Sequence, residues 1–101
     1  MNSPRLPTVS RKEALILDLL AGASDLYGLE LVEASKGRLK RGTVYVTLSR
    51  MEDKGYVTSS QEAKAQGAIG LPRRVYRLTA LGRRAREAWA MVSRKLAWEN
   101  A

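Results

Sequence analysis

The sequence predicts a mainly α fold with a small β-hairpin. Three observations lead there. Four segments carry helical apolar spacing or helix caps. Two β-prone runs, Tyr56 to Ser60 and Arg73 to Leu78, stand between the third and fourth helices. The chain has 101 residues, enough for one domain with a modest core.

The first helix begins after Ser10, because Ser10 and Glu13 have the spacing of a capping box, in which each side chain satisfies the other's backbone N–H. It runs Arg11 to Leu20 and ends before Gly22. Its apolar residues spread around most of the wheel, so it is expected to touch both its own core and a second subunit. The second helix is expected from Ser24 or Asp25, through Leu26, Leu29 and Val32, to Gly37. Gly28 inside it costs ~1 kcal/mol against alanine and predicts a close approach by a neighbouring helix.

The third helix is expected from Gly42 to Lys54, with Gly55 as its stop. Val44, Leu48 and Met51 fall at i, i+4 and i+7 and make a core-facing stripe. The opposite face gathers Thr43, Val46, Thr47, Arg50 and Lys54. In the hairpin, Val57, Tyr76 and Leu78 face inward by period 2. Its long tip, Gln61 to Pro72, includes Lys64. Thr79 caps the last helix. There Leu81, Ala85, Ala88, Val92 and Leu96 form one stripe with Trp89 on its edge, and Met91 and Trp98 lie on another face. A second apolar face calls for another partner.

Composition narrows the chemistry. There are 18 Lys+Arg against 10 Asp+Glu, a formal charge of +8, which attracts polyanions and nucleic acid first. Cysteine and histidine are absent. Disulfides, thiolate or imidazole metal sites and the usual catalytic triads are therefore excluded. No metal and no cofactor are expected, and not an enzyme: Glu30 and Glu33 lie on an ordinary helix surface with no nucleophile beside them. Met1 to Pro7 has no signal-peptide core, and no apolar run approaches the ~20 residues of a membrane span. No helix pairs a basic face with an apolar one free for lipid. A cytoplasmic, nucleoid-associated chain without a membrane partner is expected.

Helix, helix, helix, two-stranded wing, helix is the order of a winged helix-turn-helix with one further helix. A major groove admits one α-helix, so Thr43, Thr47 and Arg50 can reach base edges, and the arginine fork pairs with two acceptors of guanine. Basic residues of the wing, Lys64, Arg73 and Arg74, can neutralise phosphates or enter the minor groove.

Three stretches resemble the PadR family of bacterial transcriptional regulators, across Arg11 to about Trp89. One is Leu26-Tyr27-Gly28-Leu29-Glu30-Leu31. The second is Gly42-Thr43-Val44-Tyr45, with Leu48, Arg50-Met51-Glu52 and Gly55-Tyr56-Val57. The third is Gly70-Leu71-Pro72-Arg73-Arg74-Val75-Tyr76-Arg77-Leu78-Thr79, with Gly82. Leu29 stands where the family usually has tyrosine. Val46 stands where it often has proline, which bears on the sequence preferred. The resemblance implies that the helix bearing Thr43, Tyr45 and Arg50 approaches DNA, with Tyr45 on phosphate, and that the wing near Arg73 and Arg74 does too. It also implies a dimer joined through the N- and C-terminal helices, and, as in some short members, an aromatic or drug-like ligand between subunits, held by tryptophan.

The candidate DNA-binding residues are thus Arg41, Thr43, Tyr45, Thr47, Arg50, Lys64, Arg73 and Arg74. The candidate dimer interface is Leu15, Leu17, Leu20, Met91, Val92 and Leu96. Trp89 and Trp98 are the candidate ligand residues for an aromatic effector. Residues 1–9 form an arm, 10–78 the winged domain and 79–101 the dimerisation helix. The expected function is a homodimeric regulator of double-stranded operator DNA, a repressor. Two alternatives stand beside it: a winged-helix protein-interaction module, and a regulator of another winged-helix family, MarR-like or, less well matched without Cys and His, ArsR-like.

Overall fold

The computed structural model describes residues 8–62 and 73–99, with side chains of the last helix as far as Lys95. The elements in order are α1 (Arg11–Gly22), β1 (Leu26–Tyr27), α2 (Gly28–Ala34), α3 (Arg41–Asp53), β2 (Val57–Gln61), β3 (Arg74–Leu78) and α4 (Ala80–Glu99). The chain is mainly helical, with one small antiparallel sheet of order β1-β3-β2.

The capping box forms as its residues predict: Glu13 N–H donates to Ser10 Oγ at 3.2 Å, and Ser10 N–H donates to Glu13 Oε1 at 2.8 Å. Glu13 also does what local spacing does not disclose. Its carboxylate is buried and accepts from Lys54 Nζ at 2.9 Å on both oxygens. Lys54, expected on the open face of α3, is therefore an internal tie between the start of α1 and the end of α3. The same ammonium donates to the Thr8 carbonyl at 3.1 Å, as does the Tyr56 hydroxyl.

The start of the second helix differs from expectation. Leu26 and Tyr27 are not helical. They pair with β3, Leu26 opposite Tyr76 and Tyr27 opposite Val75. The outer edge of β3 has N–H and C=O groups that need partners, and two residues of extended chain supply them. The helix then begins at Gly28. A Cβ there would stand 2.5 Å from the Tyr45 ring, so the predicted close approach is by a side chain of α3.

The turn from α2 to α3 is built on Ser35, which is fully buried. Its hydroxyl donates to the Val32 carbonyl at 2.7 Å and accepts from Leu39 N–H at 2.9 Å. Lys36 and Gly37 then take φ of 54° and 93° and reverse the chain. At the other end of α3, Gly55 has φ 81°. Tyr56 N–H reaches the Met51 carbonyl and Gly55 N–H the Glu52 carbonyl, a Schellman motif.

The core contains Ile16, Leu17, Leu20, Leu31, Leu39, Val44, Leu48, Met51, Tyr56, Val57, Tyr76, Leu78 and Ala85. The α3 stripe and the inward residues of the hairpin are all in it. Leu17 and Leu20 were expected at a subunit interface. They are 0% and 2% exposed and pack inside their own chain, so neither has surface left for a partner. Leu15 and Leu19 are half-buried and remain on the outer side of α1. Burial along α4 fades: Ala85 is enclosed, Ala88 and Trp89 are half-buried, and Met91 and Val92 are 64% and 56% exposed. The α4 stripe therefore serves the internal core only over its first turns.

Candidate nucleic-acid interface

The turn after α2 and the first turns of α3 are rich in cations. Lys36, Arg38, Lys40 and Arg41 are all exposed. Along α3, Thr43, Tyr45, Val46 and Arg50 are exposed and Thr47 is half-buried. Thr47 donates to the Thr43 carbonyl at 3.3 Å. That bond leaves the hydroxyl oxygen able to accept, and the methyl group able to make an apolar contact. The face is low in profile and basic at both ends, a shape that fits a groove walled by phosphates.

The wing stands beside the start of α3. Arg73 lies over the Tyr27 ring, 4.9 Å from its centroid, and the Tyr27 hydroxyl donates to the Glu62 carboxylate. Arg74 Nη1 donates to Ser59 Oγ at 2.9 Å, and Ser59 Oγ donates to Glu52 Oε2 at 2.9 Å. Arg74 is thus steered by a relay that runs back to α3, which β-propensity alone does not reveal. Burial pushes the Tyr76 phenol above its usual range, with Glu52 adding to the effect and Arg74 opposing it. Lys64 lies outside the described residues.

Two clefts divide the candidate side chains. Arg41, Tyr45, Arg73 and Arg74 line a cleft of about 600 Å³ between α2, α3 and the wing, together with Leu29 and Val32. Thr47 and Arg50 line a second, of about 320 Å³, against the first turn of α1. Arg11 and Lys12 of that turn border it. Sequence reasoning missed both, because nothing local says that the start of α1 lies beside the end of α3. Thr43 lines neither cleft and stands exposed on the open face.

Ion pairing leaves this face charged. Among the described residues the ion pairs are Lys54 with Glu13, Arg77 with Asp25 and Arg86 with Asp18. Arg41, Arg50, Arg73 and Arg74 are in none of them. Also among the described residues, no group of three His, Cys, Asp or Glu is placed to hold a metal, and no helix is long and apolar enough to cross a membrane.

The model of the transcriptional regulator PadR-like family matches residues 16–88, well over half of the chain. The chain belongs to the PadR-like family of transcriptional regulators. The winged architecture of this PadR-like chain agrees with solved structures. A PadR family transcription regulator from hypervirulent Clostridium difficile R20291 is 28% identical over 87% of this chain and 96% of its own, with a TM-score of 0.66. Bacillus subtilis PadR, solved in complex with operator DNA, is 23% identical, with a TM-score of 0.67. That match covers 76% of this chain and 45% of the Bacillus chain. Streptococcus pneumoniae FabT, solved in complex with DNA, is 20% identical over 96% of this chain and 63% of its own, with a TM-score of 0.69. The last two likenesses are of fold. No match is found among curated proteins. Within winged-helix proteins, that membership places the chain in PadR rather than in a MarR-like or ArsR-like group.

Proposed function

We propose that this PadR-like chain binds double-stranded operator DNA as a homodimer and represses transcription. The observation that carries the proposal is the unpaired basic face formed by α3 and the wing. Arg41, Arg50, Arg73 and Arg74 are exposed there without carboxylate partners among the described residues, around exposed Thr43 and half-buried Thr47. Thr43, Thr47 and Arg50 read base edges. Arg41, Tyr45, Arg73, Arg74 and Lys64 hold phosphates or the minor groove. Two relatives in fold were solved on DNA, which supports the same use here. Residues 10–78 are the DNA-binding unit, 79–101 the dimerisation helix and 1–9 an arm, and the chain works in the cytoplasm on the nucleoid. The test is a titration of labelled intergenic DNA from upstream of its own gene, at two or more salt concentrations. Salt-sensitive, sequence-selective binding supports the proposal. Absence of binding to any duplex points instead to a protein-interaction module.

Dimerisation has its own expected result. Met91 and Val92 are exposed on α4, the helix that continues through Leu96, and Leu15 of α1 is half-buried. Isologous burial of this face in a two-fold dimer accounts for its apolar character. Sedimentation equilibrium at micromolar concentration should give about twice 11.2 kDa. Met91→Glu with Val92→Glu should return the monomer mass. A wild-type monomer would remove both the dimer and the paired half-sites.

Trp89 stands half-buried beside exposed Met91 and Val92, which supports an aromatic effector stacked near the two-fold axis. The second candidate, Trp98, lies beyond the described side chains. A planar dye should quench tryptophan emission saturably and weaken DNA binding in the same concentration range. Saturable quenching with unchanged DNA affinity would separate the dye site from regulation.

A further inference from the structure

We infer that the first turn of α1 is a third DNA-contacting element, in which Arg11 and Lys12 hold backbone phosphates at the edge of the groove that α3 enters. This rests on the DNA-binding proposal above and extends its surface. The cleft between α1 and α3 is lined by Ser10, Arg11, Lys12, Glu13, Thr47, Arg50 and Lys54. Its charges do not balance. Glu13 is the only carboxylate among them, and both its oxygens are taken by Lys54 at 2.9 Å. Arg11, Lys12 and Arg50 are left as three exposed cations around one cleft, in no ion pair among the described residues. Like charges gathered at one place repel each other, and a polyanion running through the cleft relieves that repulsion.

The occupant is identified by continuity. Thr47 and Arg50 belong both to this cleft and to the α3 face proposed to read bases. A phosphodiester chain bordering that face therefore passes Arg11 and Lys12. The site is built on the Arg11 and Lys12 side chains; among the N–H groups of this turn, those of Ser10 and Glu13 are already paired by the capping box. Its geometry is held rigidly. The Glu13–Lys54 pair ties the first turn of α1 to the end of α3, and Lys54 and Tyr56 both grip the Thr8 carbonyl at 3.1 Å. The backbone that carries Arg11 and Lys12 is thus held against the end of α3, on one side of the cleft that Arg50 also lines. Glu13 and Lys54 are positioning residues for it.

The experiment compares two double variants on a 24-base-pair duplex of random sequence. Arg11→Ala with Lys12→Ala should weaken binding about tenfold at 0.1 M salt. It should also flatten the slope of log K against log salt by about 1.8, the value for two phosphates at ~0.9 each. Arg83→Ala with Arg84→Ala removes the same charge from exposed positions in the first turns of α4, outside the cleft and away from Met91, Val92 and Leu96, and should leave the slope unchanged. Melting curves of both variants should match the parent, since all four side chains are exposed. Equal losses from the two pairs would mean that only net charge acts, and would overturn the inference. An unchanged slope for the α1 pair, while Arg73→Ala weakens binding, would overturn it and leave the α3 and wing surface intact. Failure of the parent protein to bind any duplex would remove this inference together with the proposal it rests on.

Discussion

Replacing Arg50 by alanine is expected to cost ~1–3 kcal/mol of operator affinity, about five- to 150-fold, and much less on random duplex. Arg50 stands in the last turn of α3, exposed and without an ion pair among the described residues. No internal contact therefore competes with its use. Removing it should leave the fold intact, because the buried positions of that helix are Val44, Leu48 and Met51. A guanidinium on a guanine edge makes two directed hydrogen bonds, and the wrong base forfeits them, so its loss falls on the cognate sequence. A guanidinium on a phosphate contributes alike to every sequence. Anisotropy titrations on both DNAs at one salt concentration distinguish these cases. A selective loss assigns Arg50 to a base, and an equal loss on both DNAs assigns it to a phosphate. Arg73→Ala should weaken both DNAs about equally, as a wing contact to phosphate does. No loss from Arg50, Arg73 or Arg74 would mean that the DNA surface lies elsewhere on the molecule.

Gly82→Ala is expected to have the largest effect on stability, about 3 kcal/mol or more. A Cβ at this position would lie 2.0 Å from the Tyr56 carbonyl oxygen and 3.0 Å from its carbon. Both are backbone atoms, so no rotamer change relieves the clash. The Tyr56 carbonyl is also committed, accepting from Thr79 N–H at 3.1 Å. Thr79 is tied in again through its side chain, which donates to the Gly55 carbonyl at 2.5 Å and accepts from Gly82 N–H at 3.0 Å. One methyl group would therefore pry the first turn of α4 from the end of α3 and the start of the wing. For a domain of this size the loss corresponds to a fall in Tm of roughly 12–24 °C. Thermal melts monitored by circular dichroism check it. Gly22→Ala is the control: no atom lies within 4 Å of its Cβ, and its melt should stay close to the parent's. A Gly82→Ala protein that melts with the parent would show that α4 does not pack against Tyr56 as described.

Local chemistry in the sequence determined where most elements begin and end. Ser10 with Glu13, Gly55 and Thr79 act through bonds spanning a few residues, so their roles are legible without a fold. The Val44–Leu48–Met51 stripe and the inward positions of the hairpin are legible for the same reason, since helical and strand periods assign faces directly. The basic and threonine-bearing face of α3 follows as the opposite side of that stripe. Tertiary structure decided what depends on contacts between distant segments. Leu26 and Tyr27 become a strand because β3, some fifty residues on, offers an unpaired edge. Leu17 and Leu20 turn inward because α2, α3, the sheet and α4 all close on α1, which a helical wheel does not count. Ser35 looks like an ordinary polar turn residue until its burial shows that it holds the turn. Arg11 and Lys12 look like a solvated first turn until Glu13 and Lys54, 41 residues apart, bring them beside Arg50. Periodicity and caps report what a residue does to its neighbours in the chain. Which charges end in one cleft depends on how the helices pack.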